Sequence, residues 1–224
     1  MVSAIVLAGG KGKRMGSSQS KQYINLDGKP IIYYTLKQFI KNRLIDNIVL
    51  VIPEKDKDYC KNEVLDKYGL VVDKIVFGGN ERQESVYNAL IEMEKTDIVL
   101  IHDGARPFVS DEIINDGIKY ATLYKAAAPG VVPKDTIKIR DKDSFSRETL
   151  ERNNLIAIQT PQAFDFDLIY KCHKEVKEKN IMVTDDTSVV EALGNKVYIY
   201  EGNYTNIKIT TPEDLALAEY LVKK

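Results

Sequence analysis

The chain has 224 residues, 44% of them apolar and 29% charged, with 32 basic against 33 acidic residues and a formal net charge of −1. That length suits one domain with a full core, and the charge balance argues against a general nucleic-acid binder, which would carry a basic excess. No run approaches the ~20 apolar residues that span a bilayer, nothing reads as a signal peptide, and Cys60 and Cys172 stand isolated, so a reducing cytoplasm is the expected setting.

Short β-branched runs alternate with longer helical patterns. Strands are predicted at residues 3–8, Asn47–Ile52, Lys74–Phe77 and residues 98–101, each short and rich in Val, Ile and Leu as buried strands are. Helices are predicted at residues 31–42, 55–67 and 81–94, the last with Val86, Leu90 and Met93 at helical spacing and Asn80 as its N-cap. This alternation predicts a Rossmann-like α/β fold, with a right-handed, mostly parallel sheet covered on both faces.

The regularity breaks after Tyr124. Residues 126–140 hold two β-like stretches around Pro129-Gly130 and Pro133, residues 141–144 read as a turn, and residues 145–150 return antiparallel. Too few core residues lie here for a domain, so the segment at about residues 133–157 is expected to project as an arm and dock onto a second subunit, within one domain spanning residues 1–224. Beyond it come helices at residues 166–179 and 186–193, strands at 196–200 and 206–210, and a helix opened by Thr211-Pro212-Glu213-Asp214, with Thr as cap and Pro at the first helical position.

The first strand runs into Gly9-Gly10-Lys11-Gly12-Lys13-Arg14-Met15-Gly16. Glycines let the backbone approach a ligand and present N–H groups to an anion. Lys11, Lys13, Arg14 and Lys21 add positive charge, and no acid precedes Asp27, which suits a triphosphate. The loop is not a P-loop, which requires G-x-x-x-x-G-K-[ST], and its dinucleotide fingerprint fails at Met15. The alternative is a basic surface loop.

His102-Asp103-Gly104-Ala105-Arg106-Pro107 follows the fourth strand, where α/β sheets bind ligands. Asp103 there can orient a ribose or Mg²⁺, and Arg106 can hold a phosphate, against the reading of a simple turn. Gly78-Gly79-Asn80-Glu81-Arg82, with Ser85, closes the third strand and can face a base. Lys208 in an otherwise apolar run is a candidate site lysine or an edge-strand residue facing water. His173, in a polar helix, reads as a surface residue. With only two histidines and no G-x-S-x-G elbow, a serine or cysteine nucleophile is poorly supported.

In order along the chain stand Ala8-Gly9-Gly10…Gly12-Lys13-Arg14-Met15, Lys21-Gln22-Tyr23, Gly78-Gly79-Asn80-Glu81-Arg82…Ser85-Val86, His102-Asp103-Gly104-Ala105-Arg106-Pro107, Gln159-Thr160-Pro161-Gln162, Thr184-Asp185-Asp186 and Asn206-Ile207-Lys208-Ile209-Thr210. This order resembles the 2-C-methyl-D-erythritol 4-phosphate cytidylyltransferase family of non-mevalonate isoprenoid biosynthesis, with the nucleotide-diphosphosugar transferase type of fold. Ser20, Gly104 and Thr187 stand where that family more often has Pro, Ala and Ala. The resemblance implies that Arg14 and Lys21 act on the triphosphate of CTP, while Arg152 and Lys208 position the polyol phosphate. It places Ala8, Gly9, Gly10, Gly79, Asn80, Ser85, Asp103, Arg106, Thr136 and Thr160 on substrate, with cytosine read near Gly79, Asn80 and Ser85. It also implies Mg²⁺ held mainly by the CTP phosphates with Asp103 as its protein ligand, and a homodimer in which the arm carries Thr136 and Arg152 to the partner's site.

Two other functions fit the same motifs. Ribitol 5-phosphate cytidylyltransferases share the glycine loop and the late Asn-Ile-Lys block, although Thr184-Asp185-Asp186 and Gly78-Gly79-Asn80-Glu81-Arg82 sit closer to the isoprenoid branch. A non-catalytic nucleotide-binding module is the third reading, and the retained Arg14, Lys21 and Lys208 argue against it.

Overall fold

The computed structural model describes residues 1–10 and 20–224. Lys11, Gly12, Lys13, Arg14, Met15 and Gly16 of the expected phosphate loop lie outside the described residues.

β1 (Val2–Leu7) is an interior strand of the main sheet. β2 (Asn25–Leu26) and β3 (Lys29–Pro30) form a small hairpin leading into α1 (Ile31–Lys41), and the chain returns as β4 (Asn47–Ile52). α2 (Lys57–Tyr59) precedes β5 (Lys74–Phe77), and α3 (Arg82–Glu92) precedes β6 (Ile98–Asp103). β4 and β6 flank β1 in parallel and β5 lies outside β4, as βαβ crossovers require.

Alternation along β1 divides the core. Ala4 and Val6 face one side with Ile32, Leu36 and Phe39 of α1, while Ile5 faces the other with Val86, Ala89 and Leu90 of α3. Each of these side chains is at most 1% exposed, so the sheet is buried on both faces and its strands read as continuous apolar runs.

The second half is mixed in direction. α4 (Asp111–Tyr124) leads to β7 (Ala126–Val131); β8 (Lys138–Arg140) and β9 (Ser146–Thr149) form a separate hairpin; β10 (Ala157–Ile158) and β11 (Gln162–Asp165) rejoin the main sheet. β11 lies antiparallel between β6 and β7, β10 pairs antiparallel with β7, and β12 (Tyr198–Glu201) pairs parallel with it. α5 (Phe166–Glu178), α6 (Asp186–Glu191) and α7 (Pro212–Leu221) complete the layers. The mostly parallel α/β fold is as the sequence predicts. Every residue of β8 and β9 is exposed, and Asp141 Oδ1 accepts the N–H groups of Asp143 (3.0 Å) and Phe145 (2.9 Å) to close the turn between them.

Several expectations are corrected. Residues 206–210 are not a strand: Ile209 donates one backbone bond to Ala105 (2.9 Å), and its side chain is buried beneath α7 with Leu26, Ile31 and Ala218. The N-cap of α3 is Glu81 rather than Asn80, whose backbone N–H instead reaches Glu84 Oε2 at 2.7 Å. The helix predicted at residues 55–67 starts as a 3-10 turn and ends as a π-helical stretch, Cys60–Asp66. α4 is an element the sequence reading omitted, although Ser110 accepts from Ile113 as a regular N-cap. His173 is no surface residue but 1% exposed.

Candidate active site at the carboxyl ends of the strands

β1, β5 and β6 end at a common cleft of about 380 Å³ lined by Gly9, Gly10, Lys21, Gly79, Asn80, Ser85, Asp103 and Lys208, together with Arg82. The crevice at the strand ends is where a doubly wound sheet binds ligands. The 3-10 turn Lys21–Tyr23 buries Gln22, whose amide donates to the Ala8 carbonyl. Ala8 itself donates to Val51 (2.7 Å). Ala8 is therefore tied both to β4 and to the turn that carries Lys21. Among the described glycines, Gly9 and Gly10 do not adopt positive φ, and a Cβ on Gly9 would meet nothing within 4 Å. Their lack of a side chain leaves an open floor for a ligand.

The third strand end folds back on its own helix. Gly79 donates to Ser85 Oγ (3.1 Å), and Ser85 donates to Glu81 (3.0 Å). A Cβ on Gly79 would come within 2.4 Å of Glu84 Cβ, so this close approach requires glycine.

Asp103 ends β6 and is 8% exposed. Lys208 Nζ sits 2.8 Å from its Oδ2, Arg106 Nε 3.6 Å from the same oxygen, and Arg82 Nε 3.6 Å from Oδ1. Burial alone would raise the Asp103 carboxyl, but Lys208, Arg82 and Arg106 outweigh it and hold the group well below the usual carboxylate range. Behind it, Thr160 Oγ accepts the Asp103 N–H (3.1 Å) and lies 3.0 Å from His102 Nδ1. Because His102 Nε2 lies 3.1 Å from the Arg106 carbonyl, which can only accept, Nε2 carries the proton and Thr160 donates to Nδ1. Burial pushes His102 down to about 4, which keeps it neutral. Thr160 therefore orients the backbone of Asp103.

Arg106 does not line the cleft. Its guanidinium donates to the Asn206 carbonyl (2.7 Å), and Asn206 Nδ2 donates to the Thr160 carbonyl (2.9 Å). These bonds, with the Ile209–Ala105 bond, fix an otherwise irregular segment so that Lys208 meets Asp103. Lys21 joins it, with Nζ 3.4 Å from the Ile209 carbonyl.

The structure does not bring every predicted residue together. Thr136 and Arg152 are exposed, and Arg152 donates to the Lys134 carbonyl (3.1 Å) away from the cleft. Arg14 lies outside the described residues. Conversely, sequence reasoning did not single out Arg82 as a site residue. It lies in the cleft wall, with Nη2 2.7 Å from Asp186 Oδ2. Its signal was an arginine opening a helix at a strand's carboxyl end, beside the conspicuous Thr184-Asp185-Asp186.

Among the described residues no three His, Cys, Asp or Glu side chains converge as a metal cage. Asp103 faces Lys208, Arg82 and Arg106, and a single carboxylate at that point suits a hard cation that is held chiefly by a ligand's phosphates. The donor set therefore fits Mg²⁺ accompanying a nucleotide, not a resident metal with its own cage. Among the described residues no helix is long and apolar enough to cross a membrane.

The comparisons with known proteins agree in direction. The family model described as IspD, 2-C-methyl-D-erythritol 4-phosphate cytidylyltransferase, matches residues 2–224. A Clostridium beijerinckii protein named 2-C-methyl-D-erythritol 4-phosphate cytidylyltransferase is 74% identical over 223 residues, covering 100% of this chain and 99% of its own. A Clostridium botulinum protein of the same name is 64% identical over the full length of both. Among solved structures, the 4-diphosphocytidyl-2C-methyl-D-erythritol synthase of Anaerococcus prevotii superposes with a TM-score of 0.88 at 35% identity, covering 100% of this chain and 96% of that one.

Proposed function

We propose a mechanism from one premise: the chain belongs to the 2-C-methyl-D-erythritol 4-phosphate cytidylyltransferase family. Its activity is transfer of CMP from CTP to 2-C-methyl-D-erythritol 4-phosphate, with release of pyrophosphate, in isoprenoid biosynthesis. The observation that carries the mechanism is the pairing of Lys208 and Arg82 with one ionised carboxylate, Asp103, in the strand-end cleft that Lys21 also lines.

A phosphate oxygen of the polyol phosphate attacks the α-phosphorus of CTP. The new P–O bond forms as the bond from that phosphorus to the bridging oxygen breaks, and pyrophosphate leaves with the electron pair. The attacking monoester is ionised at neutral pH, so no general base is needed. The protein's work is positioning and charge neutralisation. Lys21 and Arg14 stabilise the charge that grows around the α-phosphorus. Gly9 and Gly10 admit the triphosphate, and Gly79, Asn80 and Ser85 face the cytosine. Lys208, held on Asp103, is aimed at the polyol phosphate. Asp103 would hold Mg²⁺, which when bound supplies further neutralisation of the phosphates.

Arg152 and Thr136 act in a homodimer, where the hairpin carries them to the partner's cleft. The support is that both are exposed and neither lines this chain's own cleft, with the apolar Ile137, Ile139 and Phe145 exposed beside them. The ribitol 5-phosphate reading is not favoured, since the relatives named above carry the methylerythritol activity.

Incubation with CTP, Mg²⁺ and either polyol phosphate, followed by pyrophosphate release, tests the reading. Turnover with methylerythritol phosphate supports it. Absence of release at any enzyme level would overturn it.

A further inference from the structure

One cleft cation, Arg82, is held in turn by a buried chain of polar groups that ends on α5. Asp186, at the start of α6, is 0% exposed. Its Oδ2 lies 2.7 Å from Arg82 Nη2, and its Oδ1 lies 3.1 Å from Nε2 of His173, which is also buried. Burial works against the Asp186 charge, but Arg82 and His173 keep the carboxyl below its usual range. A carboxylate only accepts, so His173 Nε2 carries the proton and donates. His173 Nδ1 has no hydrogen-bond partner among the described residues. The imidazole is thus oriented by this one donated bond and by packing.

The far end of the chain is equally constrained. Gln162 Oε1 accepts from the N–H groups of Asp186 (3.0 Å) and Thr187 (3.1 Å), and Gln162 Nε2 donates to Asp185 (2.7 Å). The backbone of Asp186 is therefore fixed, and the division of its two carboxylate oxygens depends on which donors stand nearby.

We propose that His173 is a positioning residue for cytidylyl transfer: by donating to Oδ1 of Asp186 it leaves Oδ2 to Arg82 Nη2 and so keeps Arg82 Nε directed at Asp103. Without that donor, Oδ1 is buried and unpaired, which is costly. Arg82 is the nearest cation and closes on both oxygens as a fork, the geometry a guanidinium prefers with a carboxylate. Its Nε, already 3.6 Å from Asp103, then leaves. Asp103 loses one of its three cations, and Lys208 settles more deeply on the freed carboxylate, away from the polyol phosphate. The inference rests on the reading of this cleft as the CTP site.

The test compares His173→Phe, which keeps a ring without a donor, with His173→Gln, whose amide reaches the Nε2 position, each in wild-type and Arg82→Lys backgrounds. The Phe variant is expected to lower kcat/KM for CTP about tenfold in the wild-type background and by less than about twofold with Arg82→Lys, because it acts only through Arg82. The Gln variant is expected to recover most of the loss. Equal losses in both backgrounds, or no loss at all, overturn the proposal. If the Phe variant does not fold, His173→Asn takes its place, since its amide reaches the Nδ1 position; Asn performing as well as Gln overturns the proposal. The ¹⁵Nε signal of Arg82, read without substrate, should move in the Phe variant (or in Asn in its place) and stay in Gln. An unmoved signal overturns the relay, whereas a moved signal in a protein inert toward CTP overturns the functional reading and leaves the relay standing.

Discussion

Replacing Asp103 by Asn removes one negative charge and almost no volume. Lys208, Arg82 and Arg106 then face one another around a neutral amide, with Asp186 and the more distant Asp185 left to balance Arg82. Taking one partner from a buried ion pair costs about 3–5 kcal/mol. Here the three cationic side chains keep 37%, 29% and 12% exposure, so water screens part of the repulsion. About 2–3 kcal/mol is therefore expected, and at roughly 2–4 °C per kcal/mol for a chain of this length the unfolding midpoint should fall by about 5–10 °C. The assay is thermal unfolding followed by circular dichroism at pH 7 and low salt, with and without millimolar pyrophosphate. The anion should recover more stability in the variant than in the wild type, since it replaces the missing charge. The folded carboxyl lies below its unfolded value, so its stabilisation is present above the ordinary carboxylate range and lost only as pH falls further. The deficit should thus persist at about pH 4, near the unperturbed Asp value. An unchanged or raised midpoint would refute the charge-compensation argument.

Lys21→Ala should lower kcat by about 10²–10³ while CTP affinity changes much less, because its charge matters most in the transition state; equal losses in both would contradict that role. Mixing Arg152→Ala with Lys21→Ala subunits should restore activity, since half of the sites in a heterodimer combine intact residues. No recovery after verified exchange would count against the shared site. At Gly117 of α4 an added Cβ would lie 2.8 Å from the Tyr200 hydroxyl, which donates to Ile113 (3.0 Å). Gly117→Ala should therefore cost about 1–2 kcal/mol, overpacking outweighing better helix propensity, and the cost should vanish in a Tyr200→Phe background, which denaturant unfolding would detect.

The parallel half of the sheet was legible because strands buried on both faces show as unbroken β-branched runs, as Asn47–Ile52 does. β11 was not: nothing local in Gln162-Ala163-Phe164-Asp165 sets its direction between β6 and β7. Residues 206–210 imitated a strand because Ile207 and Ile209 alternate with polar neighbours, yet the burial behind that pattern is a pocket under α7 rather than a ladder. In the cleft, Asp103 and Lys208 were visible from a strand end and a lysine in an apolar run. The link through Arg82, Asp186 and His173 joins positions that are far apart in sequence and has no periodicity. His173 was misplaced for a related reason: α5 is polar overall, but Ile169, Cys172 and Val176 mark its buried face, and His173 lies beside Cys172 on that face.

The clustering of positive side chains about Asp103 also governs how a ligand arrives. The molecule as a whole is slightly acidic, with a net charge of −1, so its distant field does not attract a polyanion. At physiological ionic strength charges are screened beyond about 8 Å, and attraction toward Lys21, Arg82 and Lys208 acts only over the last few ångströms of approach. Encounter is thus governed by ordinary diffusion to the cleft mouth, with electrostatics retaining the nucleotide after collision. An enzyme built this way discriminates among anions by fit at short range.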